Sequence, residues 1–119
     1  IKALQDAGAG LLLGSDAPQI LNVPGFSIHR ELGLLIDSGL TPAQALSAGT
    51  VNAAEFLEQQ DVFGSVTEGL AADLVLLEAN PLDDISNAQA IIGVMLRGQW
   101  FSRTELDEAL ESIRLRYAR

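Results

Sequence analysis

The sequence predicts an α/β fold, and three observations predict it. Residues 11–13 are three consecutive leucines that end at Gly14, which is typical of a short strand buried on both faces of a parallel sheet. Residues 25–58 carry apolar side chains at helical spacing. Residues 61–101 change to short apolar runs separated by turn residues, which is a β pattern.

Composition excludes several classes of partner. The chain has 119 residues, with 16 Asp and Glu against 7 Lys and Arg, a formal net charge of −9. Nucleic acids and anionic membrane surfaces bind clusters of basic residues, so we expect neither as a partner. The absence of cysteine excludes disulfides and thiolate metal sites and favours a cytoplasmic location. No apolar run reaches the roughly 18 residues of a membrane-spanning helix.

Asp16 is the strongest candidate for a catalytic side chain. It follows the predicted strand, between Ser15 and Pro18. In α/β folds, catalytic and ligand-binding groups lie just past the carboxyl ends of the strands. Because Ser, Asp and Pro are also ordinary turn residues, the alternative is that Asp16 only caps a turn. The residues alone leave both interpretations open.

Two helices are predicted after this loop. The first spans residues 25–38, with Ser27 as its N-terminal cap and Gly39 just past its end. The second begins after Thr41 with a proline at its first position, and Gln44 completes a capping box.

Two further helices are predicted later in the chain. Residues 51–58 form the third helix, with inward-facing side chains at Ala53, Ala54 and Leu57. Ser102 and Glu105 form a capping box for a terminal helix. One face of that helix is apolar: Leu106, Leu110, Ile113 and Tyr117. Its last turns carry basic residues that complement the helix dipole: Arg114, Arg116 and Arg119.

The second half also predicts three strands. Residues 73–77 have the composition of a buried strand, and residues 80–84 have the composition of a loop. Residues 91–96 are a second strand, and the turn at 97–98 leads into a third at 99–101.

Both predicted sheets are incomplete. The strand at 11–13 needs neighbours on both sides, and residues 15–60 contain no other strand. The later strands are too few for a closed β domain. Because the chain begins without methionine and within what reads as a helix, residues 1–7, we expect a longer protein or another chain to supply the missing strands.

Short motifs occur in order along the chain: GSDAP at 14–18, HREL at 29–32, SGLTPAQAL at 38–46, TVNAA at 50–54, AADLVLL at 71–77 and NPL at 80–82. Together they resemble the C-terminal part of the metal-dependent amidohydrolase superfamily, nearest to its imidazolonepropionase-like and Xaa-Pro dipeptidase-like branch. The resemblance covers about residues 8–101 and excludes the terminal helix.

The resemblance implies a distorted TIM barrel joined to a composite β-sandwich. Residues 11–13 would be the eighth barrel strand, within a barrel end formed by residues 1–60. Residues 61–101 would be the C-terminal share of the sandwich, and residues 102–119 a terminal amphipathic helix. Because such a barrel needs about 250 residues, about seven strands would lie outside this chain.

The resemblance also implies hydrolysis of carbon–nitrogen bonds, for example of a cyclic amide, in a small-molecule substrate. Asp16 would ligate a divalent metal, with zinc expected, and accept a proton from the activated water. A zinc site needs about three protein ligands. The family's His-x-His pair, bridging lysine and two later histidines have no counterpart in this sequence. We therefore expect the chain alone to bind no metal tightly and to be inactive.

Ser15 and His29 are weaker candidates for substrate contacts. His29 is the only histidine, and it follows apolar Ile28, so it is expected at the side of the core-facing surface. The alternative is a surface histidine hydrogen-bonded to Glu31 or to loop backbone. For Ser15 the alternative is a local turn hydrogen bond.

Two other functions are compatible with parts of the sequence. One is a non-catalytic binding or self-associating module derived from the amidohydrolase fold. The other is a response-regulator-like domain with Asp16 as acceptor, which the missing βα alternation in the second half disfavours. If the chain folds as given, exposed strand edges and apolar faces predict a homo-oligomer.

Overall fold

A computed structural model describes residues 1–118, and Arg119, predicted to end the terminal helix, lies outside the described residues. The α/β class is confirmed, with helices first and a small antiparallel sheet after them. The elements are, in order, α1 (Lys2–Asp6), α2 (Ser27–Asp37), α3 (Pro42–Ala48), α4 (Val51–Phe56), β1 (Leu74–Leu77), a 3₁₀ helix (Ile85–Gln89), β2 (Ile91–Leu96), β3 (Gln99–Ser102) and α5 (Arg103–Tyr117).

Helix α2 begins later than predicted, and Ser27 does not cap it. Phe26 occupies the N-cap position, and no side chain there accepts a hydrogen bond from the helix. The Ser27 hydroxyl instead accepts a 2.7 Å hydrogen bond from the backbone N–H of Val23. The hydroxyl therefore stabilises the turn before the helix, which is why the predicted cap is wrong.

The boundary between α2 and α3 is as predicted. Gly39 has φ 97°, a left-handed conformation that glycine adopts without steric cost. The Thr41 hydroxyl accepts a hydrogen bond from the backbone N–H of Gln44, and the Gln44 side chain accepts one of 2.9 Å from the backbone N–H of Thr41. The predicted capping box is therefore confirmed.

Helix α4 ends at Phe56, two residues before the predicted end. Glu58 has φ 57°, which a continuing right-handed helix does not allow. Ala54 is buried, as predicted. Leu57 is 56% exposed, so its predicted inward position is wrong, because it lies past the helix end.

A small hydrophobic core lies between α2 and α3. Its buried members are Leu32, Leu35, Leu40, Ala45 and Ala48. The alanines let the two helices approach closely. Other apolar side chains pack against this core while remaining partly exposed: Leu11, Leu13, Ile36, Leu46, Ile85 and Ala88.

Residues 11–13 do not form a strand, and the predicted buried strand is wrong for the described residues. Leu11 and Leu13 face the core, but Leu12 is 44% exposed, so only one face of the segment is covered. Its backbone is bonded to helices rather than to another strand, through Ala48 and Asn52. An apolar run indicates burial but not which element provides it.

Three antiparallel strands form the sheet, in the order β1-β2-β3. The turn between β2 and β3 is as predicted, with positive φ at both Arg97 (51°) and Gly98 (80°). Strand β1 is less buried than predicted, since Val75 is 55% and Leu76 is 50% exposed. Within residues 1–118 no second layer covers these side chains.

Helix α5 has the predicted capping box between Ser102 and Glu105. Its predicted apolar face is largely uncovered, with Ile113 57% and Tyr117 72% exposed. The 3₁₀ helix at Ile85–Gln89 lies where the sequence suggests no element. Among the described helices, none combines the length and the apolar character needed to cross a bilayer.

Candidate functional site

Asp16 lies in an exposed loop directly after residues 11–13. Its φ is 58°, a left-handed conformation that Asp adopts more readily than most residues. Its Oδ2 accepts a 2.8 Å hydrogen bond from the side-chain amide of Gln19. The carboxylate is therefore oriented from within its own loop and is open to solvent.

A second hydrogen bond holds the residue before Asp16. The backbone carbonyl of Ser15 accepts a 2.9 Å hydrogen bond from the side-chain amide of Asn22. Gln19 and Asn22 also form an isolated β-bridge, so the two amide residues close the loop on itself. The local contact expected at Ser15 thus involves its carbonyl group. Ser15 also lines a polar recess, together with Asn22, Ser27, Arg30, Glu31 and Leu34.

His29 is partly buried in the first turn of α2. Its Nδ1 is buried and has no hydrogen-bond partner within residues 1–118. The expected hydrogen bond to Glu31 or to loop backbone is therefore not made through Nδ1. His29 and Asp16 are also not among the residues that line the recess beside Ser15. The structure thus does not bring the three predicted site residues into one cavity.

The described residues do not make a metal site by themselves. No group of three or more His, Asp or Glu side chains within residues 1–118 is arranged to hold an ion. A zinc site takes about three protein ligands, with carboxylate oxygen among the accepted donors. Among the three predicted site residues, Asp16 offers an exposed carboxylate, a donor type that zinc accepts.

Two contacts fix the segment that leads to Asp16. The backbone N–H of Leu13 donates a 3.0 Å hydrogen bond to the carbonyl of Ala48, the last residue of α3. The side-chain amide of Asn52, in α4, donates a 2.9 Å hydrogen bond to the carbonyl of Leu11.

Gln19, Asn22 and Asn52 are residues that sequence reasoning missed. Asn52 belongs to the TVNAA motif at 50–54, which contributes to the family resemblance but assigns no role to Asn52. Gln19 and Asn22 lie in a loop that carries no sequence pattern, so only the structure identifies them.

Comparison with known families places most of the chain in one family. The amidohydrolase family profile matches residues 1–101. The chain is 37% identical over 90 residues to an ochratoxinase from Aspergillus niger, a match that covers 71% of this chain and 18% of the relative. It is 38% identical over 78 residues to an imidazolonepropionase from Geobacillus sp. strain WCH70, covering 61% of this chain and 17% of the relative.

Solved structures that superpose on this chain agree with the family match. A protein from Bifidobacterium longum, provisionally assigned as a prolidase, superposes with a TM-score of 0.77 at 32% identity, covering 92% of this chain and 28% of that one. Molinate hydrolase superposes with a TM-score of 0.68 at 29% identity, covering 81% of this chain and 24% of that one. The chain thus spans about a fifth to a quarter of the lengths of its relatives. The chain belongs to the amidohydrolase family.

Proposed function

We propose that this chain forms part of a hydrolase that cleaves carbon–nitrogen bonds in small amide-type substrates, with Asp16 as its catalytic carboxylate. The observation that carries the proposal is the family match over residues 1–101, which contains Asp16 in an exposed loop after an apolar segment. The similarity to an ochratoxinase and to an imidazolonepropionase supports the same proposal.

In this proposal Asp16 is one ligand of a divalent metal, with zinc as the expected ion. The other ligands come from outside residues 1–118, since these residues hold no group of three candidate ligands. When bound, such a metal makes water nucleophilic near neutral pH.

The contacts of Asp16 suit a carboxylate that transfers a proton. Gln19 donates a hydrogen bond to Oδ2, and the Asp16 residue is exposed to solvent. A carboxylate in this position can accept a proton from the attacking water and return it to the leaving nitrogen. We include Ser15 and His29 as weaker candidates for substrate contact, because Ser15 lines the adjoining recess and the buried Nδ1 of His29 lacks a partner among the described residues.

The same proposal assigns three parts to the chain. Residues 1–60 are the end of a TIM barrel, residues 61–101 the C-terminal share of a composite β-sandwich, and residues 102–119 a terminal helix. The exposed leucine and valine side chains at Leu12, Val75 and Leu76 support it, because in a complete barrel and sandwich such faces pack against further strands.

A chimera tests the function directly. In the Aspergillus niger ochratoxinase, which is 37% identical to this chain over 90 residues, the part that corresponds to residues 1–101 is replaced by these residues of this chain. We expect the chimera to hydrolyse the host's own substrate and to retain bound metal. Asp16→Asn, which keeps the side-chain shape but removes the charge, is expected to abolish hydrolysis.

The matched control is Asp61→Asn, which neutralises an exposed carboxylate in the loop after α4. We expect this variant to keep the activity of the parent chimera. A folded, metal-loaded chimera whose activity is the same with Asn at position 16 would overturn the proposal.

A second candidate function is a non-catalytic module that self-associates. It is favoured by the uncovered apolar side chains on the sheet and on α5, including Val75, Leu110 and Ile113. Light scattering on the purified 119-residue chain, with metal analysis of the same sample, tests it. A metal-free homo-oligomer supports self-association, and a compact monomer contradicts it.

A further inference from the structure

We infer that Asn52 is a positioning residue that fixes where Asp16 lies, acting through the backbone of residues 11–13. The inference rests on the proposed function of Asp16. The Asn52 hydrogen bond does not depend on that function, because it joins α4 to residues 11–13, the segment before the Asp16 loop.

The Asn52 side chain bridges distant parts of the chain. Its amide donates a 2.9 Å hydrogen bond to the Leu11 carbonyl, 41 residues earlier, and the bond is partly buried. Among the described residues no strand lies beside Leu11 to satisfy this carbonyl. A partly buried carbonyl without a hydrogen-bond donor is unfavourable. Asn52 therefore supplies the donor that the backbone N–H of a neighbouring strand would otherwise provide.

A second hydrogen bond, made by Leu13 two residues after Leu11, fixes the other end of the leucine run. The N–H of Leu13 donates to the carbonyl of Ala48, at the end of α3. The Leu13 side chain packs over Gly49, where an added Cβ would come within 2.7 Å of Leu13 Cδ2. Helices α3 and α4 thus hold both ends of the leucine run, one by a side chain and one by backbone.

This arrangement limits where Asp16 can lie. Asp16 is three residues after Leu13, and three residues span at most about 10 Å. The loop therefore starts from a fixed point, and the Gln19 and Asn22 hydrogen bonds close it from the other side. Loss of the Asn52 amide frees the start of the leucine run and shifts the loop.

The test compares two asparagines that make the same kind of contact. Asn87 also donates a 2.9 Å side-chain hydrogen bond to a backbone carbonyl, that of Asn80, and this bond does not involve residues 11–17. In the 119-residue chain, Asn52→Leu and Asn52→Asp are expected to shift the amide NMR signals of residues 14–17. Asn87→Asp is expected to leave those signals unchanged.

Acid supplies a rescue that a purely packing role would not show. The carboxyl group introduced by Asn52→Asp can donate to the Leu11 carbonyl once it is protonated. The shifted signals should therefore return toward their native positions at low pH, while those of Asn52→Leu should not. The native chain titrated over the same range controls for Asp16 itself and for Glu55, which lines, with Asn52 and Leu12, a cavity separate from the recess beside Ser15.

The chimera described above separates this inference from the proposed function. There, Asn52→Asp is expected to lower kcat by about tenfold to a hundredfold with little change in KM, as for a displaced catalytic group. Unchanged amide signals at residues 14–17 in both Asn52 variants would overturn the inference. Shifted signals in the 119-residue chain, together with a folded chimera that is inactive even without a substitution, would retain Asn52 as the anchor and contradict the proposed function.

Discussion

The Asp73 carboxylate accepts a 2.6 Å hydrogen bond from the backbone N–H of Arg97, 24 residues further along the chain. Asp73 directly precedes β1, and Arg97 is the first residue of the turn between β2 and β3. Beside it, the N–H of Gly98 donates to the carbonyl of Ala72. The start of the first strand is thereby joined to the hairpin turn, and Asp73 has a structural role in the ADL part of the motif at 71–77.

Asp73→Ala should destabilise the chain by about 1 kcal/mol, because the Arg97 N–H loses its acceptor while water can partly replace it. Asp73→Asn should cost less, since the amide oxygen can still accept. Urea denaturation measures the difference, with Asp83→Ala as a control for loss of an exposed acidic side chain nearby. Equal effects of Asp73→Ala and Asp83→Ala would contradict this role.

Two glycine substitutions should change stability in opposite directions. A Cβ at Gly93 would lie 2.2 Å from Trp100 Cζ2 and 2.8 Å from the Phe101 carbonyl oxygen, so Gly93→Ala should destabilise the sheet by about 1–3 kcal/mol. Gly33 lies within α2 with open space beside it, so Gly33→Ala should stabilise the chain by about 0.5–1 kcal/mol. Thermal or urea melts compare them, and a neutral Gly93→Ala would show that Trp100 does not cover Gly93.

Acid should weaken the N-terminus of α5. The Ser102 hydroxyl, and then the Ser102 backbone N–H, donate to Glu105 and hold the pKa of its carboxyl below the ordinary value of 4.5. Because the folded state favours the charged form, this stabilisation is present above about pH 4.5 and is lost as the pH falls below it.

The measurement is the melting temperature as a function of pH from neutral to acid. Glu105→Gln keeps a capping-box side chain but removes the charge, so its melting temperature should fall less steeply below about pH 4.5 than that of the native chain. Parallel curves for the two chains would contradict the prediction. Asp84, Asp107 and Glu111 also have lowered pKa values, from hydrogen bonds with Ser86, Arg103 and Arg114, and contribute to the acid slope in both chains.

Features set by neighbouring residues could be predicted from the sequence. The capping boxes at Thr41 and Ser102 need only a hydroxyl and a Glu or Gln three residues later, and both formed as predicted. Gly39 could be predicted to follow the end of α2, because the left-handed conformation at that position favours glycine. The family was also predictable, since several weak motifs occur in one order, and the profile match over residues 1–101 confirms it.

Features that depend on distant contacts could not be predicted. The leucines at 11–13 resemble a buried strand, but their contacts are with Ala48 and Asn52, which no local pattern specifies. Leu57 and the β1 side chains are exposed because burial depends on a covering layer and not on apolarity alone. Asp16 could be proposed as a site residue from its place after an apolar run, whereas its hydrogen-bond donor Gln19 could not be predicted, because a single amide in a loop carries no sequence signal.

The most direct measurement is kcat/KM of the chimera with the native segment against that with Asp16→Asn. If Asp16 is the catalytic carboxylate, the substitution should lower kcat/KM by at least about a thousandfold while leaving the fold intact, since general acid–base and ligand roles are lost together. Asp61→Asn should match the parent chimera. A loss of less than about threefold at Asp16, with normal folding and metal content, would contradict the account.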